Sequence, residues 1–421
     1  MISRRGLLRT APAALATSTL FAPALAQAKP RVVVIGGGPG GATAAKYIAK
    51  DSNGAIDVTL VEPLDRFVTC FHSNLFIGGF KSFDQITHGY DAMKGYGVTQ
   101  AKTMATSIDR GAKTVKLADG STLAYDRLVV SPGIDIRFNS VPGYSEEASA
   151  TLPHGWKPGE QTLLVKKQLD ALEDGALIVM VAPPNPYRCP PGPYERISMF
   201  AHVLKTKGHQ RSKIIIVDPK TTFSKQDLFL DGWKTHYPGM VEWLEPKAHG
   251  GVKGVDAKAM TVTTGNAAYK AQMITVIPAQ TAGQIAIAAA LTNQTGYCAI
   301  NPDNMQSVED SNIYVLGDAS IAGEMPKSAF AANSQAKVAA MMIRSELAAA
   351  RSFPARYANT CWSLIDMNDA VKVGGRYEAK DGRIAAIESF ISKVGEDAAT
   401  RKQTYDENIG WYEAITSDVF G

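Results

Sequence analysis

The sequence predicts an α/β protein in which parallel sheets are flanked by helices. Two apolar runs rich in valine and isoleucine, at 32–35 and 176–181, are typical of strands buried on both faces. A helical pattern follows the first run, and a further apolar run at 213–217 follows the second. Because strands that alternate with helices indicate parallel βαβ units, we expect two such units in this chain of 421 residues.

A glycine motif follows the first strand with the spacing G-x-G-x-x-G, through Gly36, Gly38 and Gly41. In such a motif the glycines permit a tight turn, close approach of a pyrophosphate and close packing of the next helix, whose N-terminus binds phosphate. A second strand at 57–61 ends in Glu62, where a carboxylate can accept from ribose hydroxyls. We therefore predict a Rossmann-like dinucleotide-binding domain instead of a merely glycine-rich turn.

A second cofactor signal lies far downstream, where a strand at 313–316 ends in Gly317 and Asp318. An aspartate there can meet the ribitol chain of a flavin, and the helix that follows can direct its N-terminus at the isoalloxazine ring. With the segment YDRLVVSPG at 125–133, this pairing resembles the FAD-binding domain of the glutathione reductase-like flavoproteins. The resemblance implies two Rossmann-like domains and identifies the dinucleotide as FAD.

The second unit lacks the fingerprint of a nicotinamide site. After its first strand the chain reads APPNPYRCPPGP at 182–193. Proline has no N–H to offer a phosphate, and its ring prevents close approach of the backbone. We therefore expect the fold of an NAD(P)H domain without reduction of the flavin by NAD(P)H.

These patterns divide the chain into consecutive parts. A β-hairpin is predicted at 114–123 and a long helix at 328–349, before a C-terminal portion of mixed patterning. The predicted parts are a signal peptide (1–26), the first part of the FAD-binding domain (27–150), the second Rossmann-like domain (151–280), the second part of the FAD-binding domain (281–350) and a C-terminal α+β interface domain (351–421).

The N-terminus resembles a twin-arginine export signal. Arg4 and Arg5 precede an apolar, alanine-rich stretch, and ALA at 24–26 fits an A-x-A cleavage site. The twin-arginine route carries folded proteins, so a flavin can be loaded before export, and we expect a periplasmic protein. The alternative is an uncleaved apolar anchor. Beyond this segment no apolar run is long enough to predict a membrane span.

Charge and histidine spacing exclude other classes of site. Loss of residues 1–26 removes three arginines and no acid, which lowers the basic residues from 44 to 41 against 40 acidic ones. Such a balance predicts no surface for nucleic acid. The histidines show no ligand spacing, so we assign no metal.

Four cysteines carry the candidate chemistry: Cys70, Cys189, Cys298 and Cys361. They permit three full pairings, and spacing does not choose among them. Cys189 lies in the proline-rich turn, where a nicotinamide would otherwise approach the flavin. Cys361 begins a segment with a helical pattern, and a helix N-terminus lowers the pKa of a thiol. A redox role for these two thiols competes with one structural disulfide or two unrelated thiols.

Nine segments over nearly the whole exported chain resemble the flavoprotein subunit of flavocytochrome c sulfide dehydrogenase, a family that includes sulfur-oxidation accessory flavoproteins. They are VVVIGGGPGGATAAKY, FVTCFHSNLFIGG, YRCPPGPYE, IPAQTAGQIA, GYCAINP, IYVLGDAS, MPKSAFAANSQAKVAA, NTCWS and GWYEAITSDVFG. The resemblance implies that Cys70 binds FAD covalently and that Cys189 and Cys361 form a redox disulfide beside the flavin. From position alone, Cys70 also suits a redox thiol or a buried apolar thiol.

The resemblance also implies that Glu195 is an acid close to this disulfide and that Trp411 is an aromatic residue near the flavin, facing a cytochrome. A proton-transfer role for Glu195 competes with an ion pair to Arg188 or Arg196. Cys298 is expected to be a buried free thiol.

The activity implied is sulfide oxidation to sulfur or polysulfide. Hydrosulfide attacks the disulfide, and FAD passes the electrons singly to a c-type haem. The chain contains no C-x-x-C-H, so the haem is expected on a separate cytochrome subunit of a heterodimer. Two alternatives stay open. One is a sulfide:quinone oxidoreductase, although the tail at 407–421 has no basic residue for a bilayer surface. The other is a flavin-bearing accessory protein that reactivates a sulfur-oxidising partner.

Overall fold

The computed structural model describes residues 28–421 and confirms the α/β class with Rossmann-like sheets. The predicted signal peptide, with Arg4, Arg5 and its cleavage site, lies outside the described residues. Within the described part, no helix has the length and apolar character needed to cross a membrane.

The elements are numbered in chain order. The helices are α1 (Pro39–Asp51), α2 (Ser73–Ile77), α3 (Glu160–Asp170), α4 (Gly192–Thr206), α5 (Gln226–His236), α6 (Pro246–His249), α7 (Gln284–Ala288), α8 (Ala329–Ala348) and α9 (Ala398–Phe420). The strands are β1 (Arg31–Ile35), β2 (Asp57–Val61), β3 (Arg66–Val68), β4 (Thr87–Gly89), β5 (Val98–Ala101), β6 (Ala105–Asp109), β7 (Thr114–Leu117), β8 (Thr122–Ala124), β9 (Arg127–Val130), β10 (Ile134–Ile136), β11 (Leu177–Val181), β12 (Lys213–Val217), β13 (Val241–Leu244), β14 (Val252–Asp256), β15 (Thr261–Thr264), β16 (Ala268–Lys270), β17 (Met273–Val276), β18 (Gln280–Ala282), β19 (Cys298–Ala299), β20 (Ile313–Val315), β21 (Ser320–Ile321), β22 (Arg356–Asp366), β23 (Asp369–Lys380) and β24 (Arg383–Ile391).

The first sheet is parallel, with strand order β20-β9-β1-β2-β5. Its central strand β1 is buried from Val32 to Ile35, as its apolar run predicts, and α1 and α8 pack against each other beside it. Because the strands are parallel, β1 and β20 end at the same edge of the sheet. Gly36 and Gly317 are thereby brought together, although they are far apart in the sequence.

The second sheet is also parallel, with strand order β13-β12-β11-β17. The predicted strands at 176–181 and 213–217 form as β11 and β12. Ile178 and Ile216 lie in a core with Phe200 of α4 and Phe229 of α5, all fully buried. The proline-rich segment leads from the carboxyl end of β11 into α4, so it faces the first sheet's cofactor edge.

The C-terminal portion is the antiparallel sheet β22-β23-β24 with α9 packed on β23. The end of α9 returns to the first sheet's helices, because Lys46 of α1 donates to the carbonyl of Asp418 at 3.0 Å. Asn333 of α8 also donates to the Asp418 carboxylate at 2.8 Å. These bonds hold α9 beside the N-terminal end of α8.

The helix that the sequence predicts from Cys361 is wrong. Cys361 lies inside β22 and is opposite Val373 of β23. Tyr357, Asn359 and Cys361 are buried while their neighbours in between are partly exposed, which is the two-residue period of a strand. A short apolar run does not separate a strand from a helix, and here pairing with β23 decides it.

Candidate active site

A cleft opens at the carboxyl edge of the first sheet, and the glycine motif forms its floor. Gly36, Gly38, Glu62, Gly317 and Asp318 all line this cleft. Gly36 has φ of +97°, and a Cβ there would lie 2.4 Å from the carbonyl oxygen of Ser131. Side chains are therefore excluded from the floor, which leaves backbone exposed to a ligand.

Gly41 does not line the cleft but lets α1 approach β1. A Cβ on Gly41 would lie 1.9 Å from the carbonyl oxygen of Gly36. This is the helix-packing role that the third glycine of such a motif has. The motif therefore combines a ligand-facing part and a packing part, as the spacing predicts.

Two carboxylates face this cleft, and they differ in their hydrogen bonding. Glu62 accepts from the backbone N–H of Gly37 at 2.8 Å and of Leu64 at 3.0 Å. Asp318 has one buried oxygen, Oδ1, without a hydrogen-bond partner, while Oδ2 lies 3.6 Å from the guanidinium of Arg188. Burial raises the pKa of Asp318, against the effect of Arg188. An unpaired buried acceptor marks a place for a donor such as a ribitol hydroxyl.

These features fit FAD. The glycine floor and the N-terminus of α1 suit the pyrophosphate, Glu62 suits a ribose and Asp318 suits the ribitol chain. Cys70 is half-buried and lines both this cleft and the neighbouring cavity. Its position suits a group that extends from one into the other.

The neighbouring cavity brings together the remaining predicted site residues. Cys189, Glu195, Cys361 and Trp411 line it together with Cys70. They come from the proline-rich segment, α4, β22, α9 and the segment before α2, so three long chain separations are closed here. In the described chain, no group of three or more His, Cys, Asp or Glu side chains could hold a metal ion.

The cysteines of this structure are all thiols. Cys189 adopts φ of +58°, and its N–H donates to the carbonyl of Lys327 at 2.8 Å, which ties the proline-rich segment to the chain before α8. Asn359 donates to Sγ of Cys361 at 3.4 Å. Cys298 is fully buried in the core of the first sheet and does not line the cavity.

Burial raises the pKa of the thiols of Cys189 and Cys361. For Cys189 the effect is large, and the neighbouring Cys361 and Glu195 add to it. For Cys361 burial outweighs the hydrogen bond from Asn359 and the charge of Lys225. The lowered pKa expected from a helix N-terminus is therefore wrong, because Cys361 is in a strand. A thiolate at this site needs a nearby positive charge.

Glu195 lies in the first turn of α4, and its carboxyl group is hydrogen-bonded to α2 and to β22, the strand that carries Cys361. Its Oε2 accepts from the amide of Asn74 at 2.8 Å, and its Oε1 accepts from the N–H of Leu364 at 3.0 Å. Burial raises the pKa of Glu195, and these two bonds oppose the rise. The carboxyl group is thus held in place with a pKa shifted toward neutral pH, as a proton-transfer group requires.

The alternative ion pairs to Glu195 do not form within the described chain. Arg196 is almost fully buried and donates instead to Asn74 Oδ1 at 3.1 Å and to the carbonyls of His154 and Gly155 at 2.8 and 2.6 Å. Arg188 faces Asp318, as described above. The two arginines shape the cavity wall and leave Glu195 to its neutral partners.

Trp411 belongs to an aromatic cluster at one side of the cavity. It stacks on Trp362 of β22 with ring centroids 5.3 Å apart, and Phe330 at the start of α8 lies 6.3 Å away. Both tryptophans are partly exposed. The pair therefore extends from the cavity wall toward solvent.

Sequence reasoning missed three polar residues of the cavity wall. His72 Nδ1, Asn408 Nδ2 and Trp156 Nε1 are buried and have no hydrogen-bond partner. The other ring nitrogen of His72, Nε2, is hydrogen-bonded to Asn408 Oδ1 at 3.0 Å. The ring stacks on Tyr412 at 4.2 Å, and burial lowers the pKa of His72 to about 3. Unpaired buried groups mark where a ligand binds. No motif contains Asn408 or Trp156, so only the fold could identify them.

Three families match separate parts of the chain. "Sulfide dehydrogenase (flavocytochrome c) flavoprotein chain, central" matches residues 162–278, and "Flavocytochrome c sulphide dehydrogenase, flavin-binding" matches 353–420. "Pyridine nucleotide-disulphide oxidoreductase" matches 30–163. The matches cover the second sheet, the C-terminal portion and the glycine motif in turn.

Individual relatives agree with these families. A flavocytochrome c sulfide dehydrogenase flavoprotein chain from Chlorobaculum thiosulfatiphilum is 61% identical over 44 residues, which are 10% of this chain and 90% of the relative. A mitochondrial sulfide:quinone oxidoreductase from Dictyostelium discoideum is 24% identical over 73% of this chain and 69% of its own. The sulfide:quinone oxidoreductase structure from Aquifex aeolicus has a TM-score of 0.72 at 18% identity and covers 92% of each chain. The solved structure shows the shared fold.

Proposed function

The chain belongs to the family of flavocytochrome c sulfide dehydrogenase flavoproteins, and from this premise we propose that it oxidises sulfide at Cys189 and Cys361. FAD would lie in the glycine-lined cleft and be joined to Cys70. One observation carries the proposal: both thiols line a cavity that shares Cys70 and Arg188 with the cleft. The reacting sulfurs and the cofactor site are therefore adjacent.

The reaction begins from the disulfide form of the pair. Hydrosulfide attacks one sulfur, a new sulfur–sulfur bond forms, and the other cysteine leaves as a thiolate. A second hydrosulfide then takes the outer sulfur of the persulfide as HSS⁻ and leaves a thiol. Re-formation of the disulfide from the thiol and the thiolate releases two electrons and one proton. FAD held in the cleft would supply a two-electron acceptor that can pass electrons on singly. The product leaves as polysulfide or sulfur.

Glu195 is the group of this chain that would handle the proton. The thiol must lose its proton as the disulfide re-forms and two electrons leave to the acceptor, and Glu195 is the buried carboxyl group that interacts electrostatically with both cysteines. Because burial raises its pKa above the ordinary value, Glu195 holds a proton more readily than an exposed carboxylate and suits proton transfer to and from the thiols. The bonds from Asn74 and Leu364 keep it oriented while it does so.

The electrons leave to a separate c-type cytochrome in this proposal. The stacked Trp411 and Trp362 line the cavity and are partly exposed to solvent. This supports an acceptor that docks on the surface beside these two tryptophans. Export by the twin-arginine signal would bring the loaded flavoprotein into the periplasm. The complete enzyme is then a heterodimer of this chain and the cytochrome.

The decisive experiment is an anaerobic addition of sulfide to the purified protein, with the flavin absorbance recorded. We expect the flavin to bleach within a turnover time and to regain its colour when oxidised cytochrome c is added. A protein that dithionite bleaches but sulfide does not would contradict the proposal. Restored activity of a sulfur-oxidising partner without sulfide turnover would identify the accessory role instead.

A second candidate, sulfide:quinone oxidoreductase, is favoured by the relative from Dictyostelium discoideum. The solvent-facing side of α9 carries polar residues, including Lys402, Asp406 and Glu413, while its apolar side chains pack inward. This helix offers no apolar face to a bilayer, which supports the cytochrome as acceptor. Turnover with a short-chain quinone that exceeds turnover with cytochrome c would favour the second candidate.

A further inference from the structure

Lys225 is a buried lysine at the start of α5 whose ammonium group reaches the strand that carries Cys361. The residue is 5% exposed. Its Nζ donates to the carbonyl of Cys361 at 3.0 Å, to Oγ of Ser363 at 2.8 Å and to the carbonyl of Val371 at 3.3 Å. All three acceptors are neutral. No carboxylate of residues 28–421 lies within ion-pair distance of this ammonium.

A partly buried lysine nearby is arranged differently. Lys220 also lies between β12 and α5, but its ammonium is 2.7 Å from the carboxylate of Asp218. An unpaired buried charge is costly, so a protein normally provides such a partner. Lys225 has hydrogen bonds that keep its position but no adjacent negative charge. Its location therefore suits a negative charge that is present only during the reaction.

The titratable groups that act on Lys225 belong to the proline-rich segment, α4, β22 and α9. The thiols of Cys361 and Cys189 and the carboxyl group of Glu195 favour its protonated form, while Arg401 of α9 disfavours it. Burial lowers the pKa of Lys225 to about 8. In return, Lys225 lowers the pKa of both thiols, against burial and Glu195.

We propose that Lys225 supplies the positive charge that compensates the thiolate released when the Cys189–Cys361 disulfide opens. The inference rests on the proposed function and adds a positioning residue to it. Hydrosulfide forms the new sulfur–sulfur bond, the departing cysteine keeps the electron pair, and the ammonium retains its protons. Because three neutral acceptors fix the ammonium beside β22, its charge is in place before the thiolate forms.

The test measures ionisation of the thiols without sulfide. The protein is reduced with a phosphine and treated with methyl methanethiolsulfonate across a pH range, and modification of Cys189 and Cys361 is followed by mass spectrometry. Lys225→Met removes the charge, Lys225→Gln removes it but keeps a donor, and Lys225→Arg keeps it. Lys220→Gln is the matched control from the same segment.

We expect the pH midpoint of modification to rise by at least about one unit in the Met and Gln variants, which is a tenfold loss of thiolate at a given lower pH. Lys225→Arg and Lys220→Gln should keep the native midpoint. If Lys225→Met does not fold, Lys225→Gln carries the same comparison. Native midpoints in Lys225→Gln would overturn the proposal, because hydrogen bonding alone would then explain the residue.

A failure of the Lys225 proposal and a failure of the proposed function give different results. A native protein whose flavin is not bleached by sulfide would contradict sulfide oxidation whatever the midpoints are. Bleaching by sulfide together with unchanged midpoints in the Met and Gln variants would contradict the role of Lys225 alone.

Discussion

The side-chain amide of Asn74 donates a hydrogen bond of 2.8 Å to Glu195, and the same amide group's oxygen accepts from Arg196 at 3.1 Å. Asn74 thus connects the carboxyl group beside the thiols to a buried cation without a direct ion pair. A bond donated to a carboxylate favours its ionised form. Asn74 therefore limits how far burial raises the pKa of Glu195.

Replacement of Asn74 should move the pH profile of the enzyme. Asn74→Ala removes the donated bond, so the pKa of Glu195 rises further and the acid limb of flavin reduction by sulfide moves up by about one to two pH units. Stopped-flow rates across pH would measure the shift. Glu195→Gln should remove that limb altogether, and an identical limb in Glu195→Gln would assign it to another group.

Cys70 should hold the flavin covalently. Acid precipitation of the native protein is expected to leave the flavin in the pellet, because a thioether survives denaturation. Cys70→Ser should release the flavin into the supernatant. Cys298→Ala, which changes a thiol in the core away from the cavity, should retain it. Free flavin from the native protein would refute the attachment.

Cys189 and Cys361 should be needed for reduction by sulfide but not for binding of FAD. Cys361→Ser leaves the glycine-lined cleft intact and removes one reacting sulfur, so we expect reduction to slow by at least about 10³-fold, as loss of a nucleophile does in other enzymes. Dithionite should still bleach the variant. Reduction at the native rate in Cys361→Ser would rule out the disulfide route.

NADPH should not reduce the flavin. Beside the N-terminus of α4, where a second pyrophosphate would bind, a Cβ on Gly192 would lie 2.9 Å from Sγ of Cys189 and 2.9 Å from the Trp156 ring. Cys189 and Trp156 therefore pack close to this N-terminus, and the prolines before it have no N–H groups to offer a phosphate. An anaerobic mixture with NADPH should keep its absorbance, with dithionite as the positive control. Rapid bleaching by NADPH would overturn this interpretation.

His236 should stabilise the packing of α5 on β22 and β23 in a pH-dependent way. Bonds to Asp366 and Asp369 raise its pKa from 6.5 to about 9. Its contribution is therefore full below pH 6.5 and is lost as the pH rises through about 9. Urea unfolding of His236→Gln should show a loss of roughly 0.5–1 kcal/mol near pH 6 and little loss near pH 10, allowing for solvent screening. Equal losses at both pH values would contradict the assignment.

Much of the fold could be predicted because its signals are local. Val32–Ile35, the three glycines and the long helix after Ser328 each show their structure within a few residues. Ser328 caps that helix by accepting from the N–H of Ala331 at 3.0 Å. The helix predicted from Cys361 is wrong because the pattern of residues 361–365 fits the period of a helix and that of a strand. Only the partner strand β23 distinguishes them.

The dinucleotide motif, the missing nicotinamide fingerprint and the resemblance of the cysteine segments to a family can all be read from the sequence. Each of these depends on residue types at short spacing, where backbone geometry and side-chain chemistry act locally. The folded chain alone shows which distant groups meet: Lys225 with Cys361, 136 residues apart, and Asn74 with Glu195, 121 residues apart. Such contacts arise from the packing of separate sheets, so no local pattern records them. The charges that control the thiols are therefore a property of the fold.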